Sequence, residues 1–163
     1  MCRKQGLLIA IALYVIAITV LVLHTLGITN TGARLEFQTI AKGVWSGHGN
    51  HAYYVIQDSD DWISVWNQHQ QIFIPQHPPP EIDVSKAAVI AVFMGECRTT
   101  GYSIEVKEII DTGLTIIVKV EKVYPGKNCI VGLALTCPYH IIQTSKINKH
   151  VIFQTSERTV NCG

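Results

Sequence analysis

An unbroken apolar run from Gly6 to Leu26, GLLIAIALYVIAITVLVLHTL, limits what this chain can fold into more than any other feature. It contains no charged residue, and Arg3 and Lys4 stand directly before it. About twenty apolar residues suffice for a helix to span a bilayer. No polar face recurs at helical spacing, so the run does not read as an amphipathic helix on a soluble core. Positive charge before it and none just after it leaves the amino terminus in the cytoplasm and the remainder outside. The sequence thus predicts a signal-anchor transmembrane segment at 1–27, a short polar stalk at 28–34 (ITNTGAR) and an exported domain at 35–163. A cleaved signal peptide, with the domain secreted, is the competing reading. The long apolar core and the poor cleavage site near Thr25, Leu26 and Gly27 favour the anchor.

The exported part has the size of one ordinary domain with a full core. The net charge of +1, with no stripe of Lys and Arg, gives no electrostatic case for nucleic acid. The five cysteines are Cys2, Cys97, Cys129, Cys137 and Cys162. Cys2 falls on the cytoplasmic side. The other four would lie where disulfides persist. No paired CxxC spacing is present, so a structural zinc site is not indicated. The four are disulfide candidates, and the alternation of strand direction brings all of them to one end of a sheet. Three pairings are open; Cys97 with Cys129 and Cys137 with Cys162 is favoured.

Leu35 to Lys42 reads as a first strand, the glycine-rich Gly43 to Asn50 as a turn, and Ala52 to Gln57 as a second strand. A helix follows over about Asp60 to Gln71. Asp58 or Ser59 can cap it, and Asp60 and Asp61 place negative charge in its first turn. Trp62, Val65, Trp66 and His69 recur at i, i+3, i+4 and i+7, one apolar stripe. Both tryptophans therefore read as core anchors. Pro75 to Pro80 (PQHPPP) must be an extended surface connection.

From Ala87 the pattern is all strand. Ala87 to Met94 is continuously apolar, as a central strand covered on both faces should be. In Gly101 to Ile110, Tyr102, Ile104 and Val106 alternate with Ser103, Glu105 and Lys107. Asp111 to Gly113 turns, Leu114 to Tyr124 continues, and Pro138 to Ile147 and Val151 to Thr155 are the last strands. The connections after Gly101 are too short for parallel crossovers. The fold class is α+β: a mainly antiparallel sheet with one amphipathic helix packed on it, preceded by the transmembrane helix.

Five pieces in order carry a resemblance: FQTIAKGVWSG at Phe37 to Gly47, VIQDSDDWISVW at Val55 to Trp66, IDVSKAAVIAVFMG at Ile82 to Gly95, TGYSIEV at Thr100 to Val106 and TCPYHIIQTSK at Thr136 to Lys146. The chain resembles the PrcB C-terminal domain family over roughly Leu35 to Phe153. Its most specific positions are Gly101 and Tyr102, and Pro138, Tyr139 and His140. Where the family often has a second glycine before the Gly-Tyr pair, this chain has Thr100. The resemblance implies a non-catalytic extracytoplasmic domain that accompanies another protein, a protease being the candidate. It brings no catalytic residues with it, and the cysteines are not part of its pattern.

The residues themselves offer little chemistry. Ser46 in GVWSGHG lacks the spacing of a nucleophile elbow. His48 and His51, with His69 or His77, do not make a convincing zinc set on a glycine-rich loop. Cys97 or Cys137 with His140 would be a nucleophile and base, but an oxidising compartment argues against a free catalytic thiol. His140 reads as ordering the loop before its strand. The expected function is a membrane-tethered accessory or protein-binding domain without catalysis, metal or cofactor, its partner a protein at the cell surface. One alternative is an exported hydrolase using His48 and His51 or the Cys/His pair. Another is a protease inhibitor that inserts the loop from Gly126 to Thr136.

Overall fold

The computed structural model describes residues 13–15, 18 and 32–163. The chain divides into two units, Met1–Gly32 and Ala33–Gly163, and the second is described here. Almost all of the predicted transmembrane segment, and residues 28–31 of the stalk, lie outside the described residues. Among the described residues no helix is long and apolar enough to cross a membrane.

Nine elements follow in order: β1 (Ala33–Leu35), β2 (Phe37–Gly43), β3 (Ala52–Ile56), α1 (Ser59–Gln70), β4 (Ala87–Phe93), β5 (Ser103–Asp111), β6 (Thr115–Pro125), β7 (Tyr139–Ser145) and β8 (His150–Val160). They build two four-stranded sheets, ordered β1-β5-β6-β8 and β2-β7-β4-β3. The expected single sheet is therefore two. β4 explains how they are held. All seven of its residues are buried. Ala88, Ile90 and Val92 join Ile104, Val106 and Ile109 of β5 and Ile116, Val118 and Val120 of β6 in the core between the sheets. Val89, Ala91 and Phe93, pointing the other way, meet Trp62, Val65 and Trp66 of α1. The period-two alternation of one apolar strand thus feeds two cores.

Asp58 caps α1, its carboxylate accepting from the backbone N–H groups of Asp60 and Asp61, and Trp62, Val65, Trp66 and His69 are buried as one stripe. The proline-rich connection is strapped along the helix. Trp62 donates its indole N–H to the Pro80 carbonyl at 3.0 Å, and Trp66 to the His77 carbonyl at 2.9 Å. Each tryptophan buries its ring while its polar edge fixes an otherwise unstructured segment.

Three expectations need correction. The strand read over Leu35 to Lys42 is two strands, and Ala33 and Arg34 of the expected stalk belong to the first. β1 pairs with β5 in one sheet and β2 with β7 in the other, and the chain changes sheets at Glu36. The alternation in β5 does not run through: a bulge at Lys107, between Val106 and Glu108, resets the phase so that Ile109 enters the core. β8 runs to Val160 and is parallel to β6, from Thr115 opposite His150 to Pro125 opposite Val160. A short connection can deliver a parallel neighbour here because the intervening strand, β7, lies in the other sheet.

Candidate functional site

The polar residues singled out by their chemistry are mostly interior. Ser46 and His69 are 2% and 1% exposed. His48 donates its backbone N–H to Ser46 Oγ at 3.2 Å, and Ser46 Oγ lies 3.0 Å from His69 Nδ1. Burial holds the His69 ring well below its ordinary range, at about 4, and His48 lowers it further. The neutral ring is hydrogen-bonded to the Ser46 hydroxyl through Nδ1. Burial also lowers the His48 pKa. Its Nε2 lies 3.1 Å from the Val65 carbonyl, to which it donates, and its ring stacks on Phe93 at 3.8 Å.

A serine within 3.0 Å of a histidine has the spacing of a nucleophile and base. Sequence reasoning missed the pair, because 23 residues separate its members. Its surroundings suit a clamp. Gly47 donates its N–H to the His69 carbonyl at 3.0 Å. A Cβ on Gly47 would stand 2.1 Å from the Gln68 carbonyl oxygen. The glycine-rich loop is thus pressed onto the end of α1, with the serine and both histidines sealed beneath it. His51 is exposed and lies against Tyr53 instead, ring to ring at 4.6 Å. Among the described residues no three His, Cys, Asp or Glu side chains converge to hold a metal ion.

His140 is the second residue of β7 and ties the two sheets together. Its Nδ1 accepts the Val106 backbone N–H at 3.0 Å, and its Nε2 donates to Thr39 Oγ1 at 2.9 Å. Val106 adjoins the β5 bulge, and Thr39 adjoins a second bulge, in β2. One ring therefore pairs a backbone donor and a hydroxyl next to two interrupted ladders. Burial holds its pKa at about 4, with Lys42 and Lys107 lowering it and Glu105 opposing them. This role replaces the expected one, ordering a loop.

The cysteines pair differently from the favoured scheme. Cys129 is bonded to Cys162, and Cys97 and Cys137 are free. The parallel pairing of β6 with β8 is the reason: it ends at Pro125 opposite Val160, Gly126 donates its N–H to the Val160 carbonyl, and the residues just beyond are neighbours. Cys97 sits opposite Thr136 in an isolated bridge. Burial raises both thiol pKa values, Cys137 and Glu96 adding to that at Cys97 and Glu96 at Cys137. Neither thiol is therefore activated as a nucleophile.

The opposite situation holds in the loop from Gly126 to Thr136. It is held at three places. The disulfide ties its start, Thr100 and Gly132 bond in its middle, and Thr136 exchanges two backbone bonds with Cys97 at its end. Thr100 supplies both its backbone N–H to the Gly132 carbonyl and its hydroxyl oxygen to the Gly132 N–H, at 2.8 Å. Gly101 has a φ of +94°, and a Cβ there would stand 3.0 Å from the Pro125 ring, which accounts for the glycine before Tyr102. Between these ties Ile130 is fully exposed, Leu133 is 94% exposed and Leu135 62%. Cys137 donates its N–H to the Val44 carbonyl. Trp45, the next residue, is 55% exposed.

Two open grooves lie elsewhere. One of about 660 Å³ is lined by Glu36, Phe37, Asp83, Lys86 and Gln143. The other, of about 560 Å³, is lined by Trp62, Ile63, Pro79, Pro80 and Ile82. Neither reaches Ser46, His48 or His140.

No curated protein and no solved structure matches the chain. Residues 88–145 match the family model described as PrcB C-terminal. The pieces from Phe37 to Gly47 and from Val55 to Trp66 lie before that span. It runs from β4 to the end of β7 and holds the Gly101–Tyr102 turn, the clamped loop and Pro138, Tyr139 and His140. Over this span the chain is similar to the PrcB C-terminal family.

Proposed function

We propose that the protein is a membrane-tethered extracytoplasmic accessory domain that binds another protein at the cell surface, a protease being the candidate, and that it does no chemistry itself. The match of β4 to β7 to the PrcB C-terminal family carries this reading. Similarity to that family suggests an accessory domain associated with a protease. The side chains best suited to catalysis support a binding role, because Ser46, His48, His69 and His140 are buried and already hydrogen-bonded. The Cys129–Cys162 bond suits an oxidising compartment outside the cytoplasm. The apolar run at Gly6 to Leu26 would supply the anchor at 1–27, with the domain beyond it on the outer side.

The test is fractionation and capture from cells producing the full chain with a carboxy-terminal tag. The expected result is a chain that resists alkaline extraction from membranes, is digested by protease added outside intact cells, and co-purifies with an exported protease. A chain recovered in the cytosol with all its thiols free would overturn the reading.

A further inference from the structure

We propose that Cys97 and Cys137 form a second, oxidant-driven disulfide, a redox latch that closes the far end of the loop from Cys129 to Thr136. The loop is bounded by two cysteines. Cys129 at its start is bonded to Cys162, while Cys137, just past its end, is free. Cys97 is the other free thiol, and both are half-buried. Backbone bonds bring them together: Cys97 donates to the Thr136 carbonyl at 2.7 Å, and Thr136 to the Cys97 carbonyl at 2.8 Å. A pair that exchanges bonds in this way has its Cα atoms about 5.5 Å apart. Cys137 is the next residue, which places its Cα about 6–7 Å from that of Cys97, within the reach of a disulfide.

The strand pleat does not hold the two side chains apart. Met94 donates to the Pro138 carbonyl, and the next rung joins Cys97 and Thr136. Between those rungs Gly95 and Glu96 stand opposite the single residue Cys137, which is a β-bulge. Gly95 has a φ of +85° there, and Glu96 turns its N–H out to the Gly49 carbonyl. A bulge interrupts the alternation of faces and re-aims side chains. The Cys97 thiol leans back over it, 3.8 Å from the carbonyl of Gly95, a residue that faces Cys137. A thiolate at Cys137 raises the Cys97 pKa, which puts the two sulfurs within electrostatic reach. Burial raises both thiol pKa values. It thus keeps the pair protonated and the latch open until an organic disulfide oxidant reaches it. One cysteine thiolate then attacks a sulfur of the oxidant, forming a mixed disulfide and expelling one thiol. The second thiolate attacks the protein sulfur of that bond and expels the other. The two protein thiols give up two electrons and two protons, and the oxidant leaves as two thiols. The loop is then tied covalently at both ends.

The experiment uses the full chain, purified in detergent with Cys97 and Cys137 reduced, and oxidised glutathione as the oxidant. After quenching with an alkylating agent, mapping of the unreduced peptides should show a Cys97–Cys137 link beside an intact Cys129–Cys162 bond. Cleavage between Ile130 and Leu135 by an added protease should slow about tenfold once the link has formed, because cleavage needs the loop to open locally. Cys97→Ala and Cys137→Ala, tested separately, should keep the cleavage rate of the reduced parent in the presence of oxidant. Neither replacement removes the backbone bonds between positions 97 and 136. Both thiols alkylated after the oxidant, or glutathione carried on either without a link, would overturn the latch. So would a link from either thiol to Cys129, to Cys162 or to a second copy of the chain. A Cys97–Cys137 link that leaves cleavage of the loop unchanged would also overturn it. None of these outcomes bears on the accessory-domain reading.

Discussion

Two loops of this domain handle polarity in opposite ways. Under the loop at Ser46 to His48, polar side chains are inside, and among the described residues no buried side-chain nitrogen or oxygen lacks a partner. In the loop at Ile130 to Leu135, apolar side chains are outside and have nothing to cover them. A buried polar group that is fully paired is a structural device, since leaving it unpaired would cost about 1–3 kcal/mol. An exposed apolar side chain on a fastened loop does nothing for the fold. The difference separates residues that look catalytic in sequence from residues that are free to act on a partner.

The largest effect should come from the buried side. Trp66→Ala should destabilise the domain by about 3–5 kcal/mol, the usual cost of truncating a buried tryptophan. It removes ring packing against the β4 face and also releases the His77 carbonyl. Urea denaturation of parent and variant measures it. A midpoint shared with the parent would mean that α1 is not fastened through Trp66.

Next comes the covalent tie, which belongs to the exposed loop but acts on the whole domain. Cys129 and Cys162 are 33 residues apart. Replacing both with Ser should cost about 2–4 kcal/mol through the freedom regained by the unfolded chain. Peptide mapping of unreduced protein should show this pair, with Cys97 and Cys137 alkylatable on unfolding. A Cys97–Cys129 peptide would contradict the strand pairing of β6 with β8.

How much of this was readable in the sequence follows from distance along the chain. The Asp58 cap and the Trp62–His69 stripe were legible because a helix writes its periodicity within a dozen residues. The two-sided burial of β4 was legible because seven apolar residues leave no polar face. The change of sheet at Glu36 was not, since a strand of either sheet shows the same alternation. The Lys107 bulge, the parallel seat of β8, the Ser46–His69 pair and the cysteine pairing all depend on which element lies beside which. Strand direction brought Cys129 and Cys162 to the same end, but only lateral order made them neighbours. The exposed loop was legible as a segment, while the exposure of Leu133 was not.

Acid should expose the buried histidines. His69 and His140 have folded-state pKa values of about 4, below their ordinary 6.5. Below pH 6.5 the unfolded chain therefore binds more protons than the folded one, and stability falls as pH drops from about 6.5 towards 4. Each histidine contributes at most about 3 kcal/mol to this loss. The carboxylates held low by Lys partners, Glu105, Glu108 and Asp111, add to the loss as pH falls to their unfolded values of 4.5 for Glu and 3.8 for Asp and below. His140→Gln can still accept from Val106 and donate to Thr39, so it should fold and show a flatter pH dependence. Urea midpoints at pH 7 and pH 5 give the comparison. Equal slopes in parent and variant would show that His140 is not a buried neutral ring.

The smallest effect belongs to the exposed loop, and its smallness is the point. Leu133 is 94% exposed, so Leu133→Asp removes almost no buried area and should change stability by less than about 0.5 kcal/mol. Ile130→Asp should behave alike. Neither replacement touches the ties at Thr100, Cys97 or the disulfide. Matched urea curves for the parent and both variants test this. A loss above about 1.5 kcal/mol would mean that these side chains fold onto the domain in solution. They would then belong with the buried histidines, and the contrast between the two loops would collapse. An unchanged stability makes the apolar rim expendable for folding, so any loss of partner in the same variants is a loss of contact at the rim itself.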